Sequence, residues 1–422
     1  MTVGSVPTAE VLSGFDLTDL DNFAAGFPHD IFVLHRREAP VLWHAPTVHT
    51  PDGEGFWSVA THAETLQVAR DPVTFSSERG GTRQRAGTIL PDQAIAGEVL
   101  NMMDDPRHAR TRRLVSVGLT PKVVGDLEAN LRARMRGILD DLDGGDCDAV
   151  ALVRELPLQA IALLMGVPAA DRHRLGEWVD HAFDFKDRDY LETTDAVAAA
   201  HAAMFEYGTE LIAEKRRHPD ADMLSVVVHA RLHDEDPPQL TDTELQLFFS
   251  LLFSAGAETT RSAASGALLA LAERPDQWQA VRADPALVAR AVEEAVRWTS
   301  PSAYNRRTAT IDTELAGWPV AAGDKVVFWE ASANRDEAVF ADSMNFDVTR
   351  DPNPHLGFGH GLHFCLGASL ARLELRITLD ELSQRAETLT LAGVPEWTRS
   401  NKHTGLRHVP LHVRWSGPRR NP

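Results

Sequence analysis

The run Phe358-Gly359-His360-Gly361-Leu362-His363-Phe364-Cys365-Leu366-Gly367 sets one cysteine among three glycines. Glycines this close describe a backbone that turns sharply and lets another body approach. The residues after it, Ala368 to Ile377, favour helix. Cys365 therefore stands at a helix entry, where free N–H groups and the helix dipole favour a thiolate. A thiolate on a glycine-shaped loop is a soft ligand for a metal. A lone cysteine is ordinarily a small buried hydrophobe, and here the glycine spacing and the following helix overturn that expectation.

A second run, Ala255-Gly256-Ala257-Glu258-Thr259-Thr260, interrupts an apolar stretch with a glycine, an acid and two hydroxyls. In a water-poor site a hydroxyl can hold a water while a carboxylate passes protons inward. A polar helix face reaching solvent would leave the same pattern. Against that, Phe253 and Leu268-Leu269 flank it with apolar residues, and no base stands one turn before Glu258. Two further pairs share helix faces: Glu294 with Arg297, three apart, and His108 with Arg112, one turn apart. Surface ion pairs of this kind are common and worth little by themselves.

The elements that must position these groups follow from periodicity. Helical patterns cover about 106–118, 122–142, 153–166, 170–184, 191–217 and 285–298. A very long one runs from about Thr243 to Glu273. It is apolar on every side (Leu245, Leu247, Phe248, Phe249, Leu251, Leu252, Phe253) and so belongs in the middle of the molecule. Its Gly256 and threonines predict a local bulge or kink. Residues 29–45 and 54–68 read as a short helix, a strand near Phe56–Ala60 and another helix; further strand-like pieces lie at 307–313, 325–329 and 407–415. Residues 76–97 form a long irregular stretch of the kind that tends to carry function. With no repeat, and with Pro and Gly scattered as punctuation, we expect one continuous mainly α fold over 1–422 with a small β portion. Its β-containing parts fall near 55–60, 307–329 and 386–415, and its helical part at about 106–298 and 365–383.

Composition sets the bounds. The chain has 422 residues, 43% hydrophobic, enough for a large core. Its 42 Lys+Arg against 61 Asp+Glu give a net charge of −19, which argues against nucleic acid as a partner. No run of about 18 apolar residues predicts a membrane span, and the N-terminus lacks a basic-then-apolar leader. Two cysteines, Cys147 and Cys365, make no disulfide framework and fit a cytoplasmic protein. Cys147 lies in an acidic turn, residues 143–148, that would raise its thiol pKa and leave it idle.

Taken together, these segments resemble the cytochrome P450 haem-thiolate monooxygenases. Phe358, Gly359, Gly361, Cys365 and Gly367 occupy the fixed positions of that family's haem-binding loop, and His363 stands where many members carry Arg. The 255–260 run resembles the family's oxygen-groove motif. Thr259 takes the place of its alcohol, Glu258 that of its acid (often Asp), and Ala255 and Gly256 lie beside the cofactor. Glu294 and Arg297, with Arg350 from the segment 339–350, resemble the family's buried network behind the cysteine loop. His108, Arg112, Arg307 and His363 match its propionate partners. The resemblance runs from about residue 55 to the C-terminus and is closest over 251–272 and 293–382. It looks most like bacterial members acting on steroids, terpenoids or fatty acyl chains.

The resemblance implies a triangular prism with a long buried central helix over haem b, Cys365 being the iron's axial ligand. It also implies insertion of one oxygen atom from O2 into an apolar or amphipathic small molecule. Candidates are a steroid, terpenoid, fatty acyl chain or secondary-metabolite intermediate, free or carrier-bound. No flavin or nicotinamide domain fits this length, so a separate ferredoxin and ferredoxin reductase would supply electrons to a monomer. The substrate pocket is expected from the 76–97 loop, Leu252, Ser302, Ala303, Tyr304, Asn401, Lys402 and His403, with Arg83 and Arg85 offered to a carboxylate. Arg107, Arg110, Arg113 and Arg376 would form a basic patch for the acidic donor. A peroxide-driven haem-thiolate enzyme and a non-enzymatic haem sensor are the alternatives. The intact Glu258–Thr259 pair argues against both.

Overall fold

The computed structural model describes residues 11–142 apart from 13, then 145–183 and 194–416. Residues 143–144 of the turn at Cys147, and 184 and 191–193 of two expected helices, lie outside the described residues. Helices dominate, and five of them build the site: α1 (Arg107–Ser116), α2 (Ala149–Leu164), α3 (Asp242–Glu273), α4 (Val288–Thr299) and α5 (Ala368–Arg385). Helix α3 opens on a reciprocal cap. Glu244 N donates to Thr241 Oγ1 (3.2 Å) and Thr241 N to Glu244 Oε2 (2.8 Å). Its Leu and Phe side chains then bury on several sides, joined to one large core with α2, α4 and α5. None of the helices among the described residues is long and apolar enough to cross a membrane.

The expected bulge is absent. Helix α3 is α-helical from Asp242 to Glu273, and the Thr259 hydroxyl donates to the Ala255 carbonyl one turn back (2.6 Å). Gly256 has a different purpose. A Cβ there would come 2.5 Å from Ile161 Cδ1, so its absence lets α2 lie against α3. The interruption in the sequence marks a helix crossing rather than a defect.

The main sheet has five strands: β1 (Val41–His44), β2 (Phe56–Val59), β3 (Phe75–Ser76), β4 (Asn305–Ala309) and β5 (Lys325–Phe328), in the order β1-β2-β5-β4-β3. Strand β5 runs parallel to β2 with Trp57 opposite Val326, and antiparallel to β4 with Arg307 opposite Val326. Side chains alternate along β4, so Arg306 and Arg307 turn to opposite faces. Arg306 bonds to the Ile89 and Leu90 carbonyls and to Asp92, which leaves Arg307 for the other side. A smaller sheet joins residues 146–148, 386–391 and 410–415. Four expectations needed correction in detail. The 122–142 helix is two, residues 121–126 and 128–140; α2 starts at 149, capped by Asp148; β1 was not foreseen; nor were the helices 223–229 and 275–283.

Candidate active site

An apolar cavity of about 210 Å³ lies between α2, α3 and the cysteine loop. From α3 come Phe248, Leu251, Leu252, Ala255, Gly256, Thr259 and Thr260; α2 adds Ile161 and Leu164. The loop brings Cys365 to the same cavity. Two of its glycines, Gly359 and Gly361, take φ of 69° and 68°, a region other residues rarely adopt. A Cβ on Gly361 would also strike the Ala69 carbonyl at 2.6 Å. The turn closes when Cys365 N donates to the Phe358 carbonyl (2.8 Å), and Phe358 itself lies under the Arg372 guanidinium. Gly367 caps α5, and a Cβ there would meet no protein atom within 4 Å.

Cys365 presents its surface to this cavity, deep in the molecule. Burial pushes its thiol up, although a backbone N–H at Gly367 and the Arg112 and Arg372 guanidinium groups oppose the shift. Burial is the largest of these influences, and one that the helix entry by itself does not reveal.

Three basic groups, His108, Arg112 and His363, line the cavity, and Arg307 lies close enough to act on both histidines. The His108 and His363 rings stand 4.6 Å apart. His108 is fully buried, and neither ring nitrogen has a hydrogen-bond partner among the described residues. Its nearest acid is Asp105 at 3.6 Å. His363 meets Ser77 Oγ at 3.1 Å, and Arg112 donates to the Phe364 carbonyl (2.7 Å). Arg307, over the Phe328 ring, donates to the Arg306 carbonyl (2.8 Å). Burial, then the Arg112 guanidinium, lowers His108, and burial with repulsion from Arg307, His108 and Arg112 pushes His363 down to about 2. Burial likewise pushes Arg307 down to about 10, against the pull of Glu330 and Asp104.

Such a cluster is in want of anions. A planar iron porphyrin with two propionates fits what is there. Cys365 would hold its iron, His108, Arg112, Arg307 and His363 its propionates, and Ala255, Gly256 and Gly367 would lie along its faces.

Behind the loop, Glu294 and Arg297 are both fully buried and joined by two 2.7 Å bonds. Arg350 Nε adds a third contact to Glu294 (3.1 Å). On α3, Thr259 faces the cavity, but Glu258 does not line it. Glu258 turns away and pairs with Arg261, and it accepts from Ser262 Oγ (3.2 Å). No base stands one turn before Glu258, but Arg261 stands one turn after it.

The expected substrate residues divide. Leu252 lines the cavity; Ser302, Ala303, Tyr304, Asn401, Lys402 and His403 do not. Lys402 Nζ is buried on Ser302 Oγ (2.9 Å), Asn305 Oδ1 (3.3 Å) and the Tyr304 carbonyl. The Asn305 amide connects it to Glu330 (2.9 Å), whose carboxyl burial pushes up to about 7. Asn401 holds the Leu17 carbonyl (3.0 Å), and Tyr304 with Asn401 borders a separate open groove. Arg83 is taken by Glu54 and by Asp92 (2.7 Å), and Arg85 by Ala94 and Glu98. These cations serve the fold.

The basic patch also needs correction. Arg110 is buried on Glu244 (2.9 Å), Arg113 meets Asp234 (3.0 Å) and Arg376 meets Glu128 (2.8 Å). Of the four, Arg107 is solvent-exposed with no acid paired to it among the described residues.

One acid escaped sequence reading. Glu374, on the face of α5 that carries Leu370 and Ala371 to the cavity, is buried with Oε2 unpartnered among the described residues. Burial alone holds its carboxyl well above 4.5, so the folded state keeps a proton that the unfolded chain releases. Stability then falls by about 1.4 kcal/mol per pH unit above that ordinary value until the group ionises. Glu374→Gln is expected to lose this slope and to unfold at higher urea than the parent at pH 7, the gap closing at pH 4. Equal midpoints at both pH values would refute it. Its only sequence signal was i, i+4 spacing from Leu370.

The chain is similar to known proteins over most of its length. The family model described as cytochrome P450 matches residues 175–413. A Mycobacterium tuberculosis (strain H37Rv) protein named "Putative cytochrome P450 126" is 58% identical over 410 residues, 96% of this chain and 99% of its own. A methyl-branched lipid omega-hydroxylase of the same strain is 39% identical over 430 residues, 98% of each chain. The structure of a Mycobacterium marinum cytochrome P450 in complex with pseudoionone superposes with a TM-score of 0.84 at 34% identity, covering 94% of this chain and 98% of that one.

Proposed function

Because this chain belongs to the cytochrome P450 family and is a monooxygenase, we propose that it hydroxylates a branched, largely apolar lipid or isoprenoid. One observation carries this reading: the cavity that Cys365 lines is also lined by Phe248, Leu251, Leu252, Ile161 and Leu164. An apolar chain gains about 25 cal/mol for each Å² it buries there. The cations once expected to anchor a charged substrate are engaged elsewhere. The methyl-branched substrate named for one relative and the pseudoionone held by a structural neighbour suit the same wall.

Haem b, held by Cys365 and the four basic residues, supplies the electron storage and oxygen activation that no side chain can. The chain does the rest. Apolar residues exclude water from the substrate, which limits wasted reductant. Thr259 Oγ1 lies in the cavity wall and can exchange its bond to the Ala255 carbonyl for a water or a developing oxygen anion. Glu258 delivers protons to that hydroxyl. Electrons come from a separate ferredoxin and its reductase.

The test is a spin-state titration with methyl-branched fatty acids, acyclic isoprenoids, sterols and polar aromatics. Branched apolar chains should give the largest shift at the lowest concentration. A shift confined to polar aromatics would refute the substrate class. Thr259→Ala is expected to retain that shift yet form at least about tenfold less product per reductant. Unchanged coupling would remove Thr259 from the mechanism.

A further inference from the structure

Side chains two apart on a strand share a face, so Asn305 and Arg307 leave β4 on the same side. Phe328 stands opposite Asn305 on β5, and Arg307 lies over its ring (5.4 Å). Two residues beyond Phe328, Glu330 meets that same face and accepts from the Asn305 amide (2.9 Å). Glu330 is 4% exposed and Arg307 7%. No salt bridge joins them among the described residues, yet each feels the other's charge. Glu330 also borders the cysteine loop: a Cβ on Gly359 would stand 3.9 Å from Glu330 Oε1.

A buried carboxyl needs either a cation or a proton. Here the cation is one amide away. Lys402 Nζ, also buried, donates to Asn305 Oδ1 (3.3 Å), to Ser302 Oγ (2.9 Å) and to the Tyr304 carbonyl. Burial favours the acid form of Glu330 and dominates, while Lys402, Arg307 and the Asn305 amide favour its anion. The reach of this one carboxyl extends to the sulfur. The Cys365 thiol, raised first by burial, is raised further by Glu330. A charge felt at both Cys365 and Arg307 is felt by a haem that those two residues hold.

We propose that Glu330 is a positioning residue for the haem. As an anion it draws on Arg307 and makes the one-electron reduction of ferric iron harder; as an acid it releases both, and Lys402 biases the choice through Asn305. A negative charge favours the more positive, ferric state of a nearby iron. Glu330 acts through Arg307 and the field at Cys365, and the electron still comes from a separate donor. The inference rests on Cys365 and Arg307 holding haem and is independent of the substrate class.

The test is the ferric–ferrous midpoint potential of the substrate-free haem protein between about pH 5.5 and about pH 9, a window that spans the value of about 7 to which burial pushes Glu330. Parent is compared with Glu330→Gln, an amide of the same shape that Asn305 can still meet. At the acid end the two potentials should coincide. At the alkaline end the variant should be reduced about tenfold more readily, about 59 mV higher for one electron. The reduced-CO band should keep the thiolate position in both. Equal potentials at every pH would overturn the inference. So would an offset of the same size at both ends, which a merely structural role would give.

Lys402→Met supplies a second arm should Glu330→Gln load haem poorly. It removes a cation that favours the anion, so the fall of potential with pH should move to higher pH than in the parent. A fall that stays where it was would overturn the inference. A parent whose reduced-CO band is not that of a thiolate would instead fault the assignment of Cys365, and this inference would go with it.

Discussion

Arg297→Ala is expected to yield a chain that unfolds at markedly lower urea and does not retain haem. The guanidinium is fully buried and serves five acceptors. Two are the Glu294 oxygens (2.7 Å each); the others are the carbonyls of Asn334, Ser343 and Asn345 (2.9 Å each). Removing it leaves Glu294 buried with Arg350, Asn353 and the Asp347 N–H as its remaining partners among the described residues. Loss of one partner from such a pair costs about 3–5 kcal/mol, against a total stability of about 5–15 kcal/mol.

The damage reaches the cysteine loop through Asn334. Its carbonyl accepts from Arg297 and its Oδ1 from Leu356 N (2.6 Å), while the Leu356 carbonyl accepts from Gly359 N (2.8 Å). Arg297→Lys should recover little, since an ammonium cannot hold both carboxylate oxygens and three carbonyls in one plane. Urea unfolding together with the ratio of haem to protein absorbance measures both effects. A parental midpoint in Arg297→Ala would contradict this account of the network.

Cys365→His is expected to keep the fold and lose the chemistry. The loop is held by backbone: Cys365 N on the Phe358 carbonyl, and the positive φ of Gly359 and Gly361. The side chain can change without opening it. An imidazole there should move the reduced-CO band to the histidine-ligated position and bring hydroxylation to background, because the electron-rich sulfur is gone. Identical spectra for the two proteins would exclude Cys365 as the iron ligand. Cys147→Ser is the internal control. Burial, then Asp148 and Asp146, push that thiol up to about 11, and it lies in the strand beside residues 410–412, outside the cavity. Its replacement should alter neither spectrum nor turnover.

Two residues that reading the sequence undervalued, Arg261 and Glu374, share one history. Each shows a helical spacing, Arg261 three from Glu258 and Glu374 four from Leu370. What decides their roles is the element packed opposite. Gly405 packs close to Glu258 from more than a hundred residues away, and no hydrogen-bond partner meets the buried Glu374 Oε2 among the described residues. The same holds for the arginines expected to greet a redox partner. Glu244, Asp234 and Glu128 pair with three of them, each from over a hundred residues away.

The sequence by itself determined the mainly α fold, the family, the long apolar helix and the glycine-shaped cysteine loop. Each is written in contiguous residues whose spacing obeys local rules of turn and helix geometry. Only the tertiary structure decided where charges went. It buried Lys402 under Tyr304 instead of beside the substrate, and it raised the Cys365 thiol despite the helix behind it. It also turned Glu258 away from the cavity and onto Arg261. The reason is that desolvation and ion pairing depend on what arrives from elsewhere in the chain, and one-dimensional spacing carries no record of that.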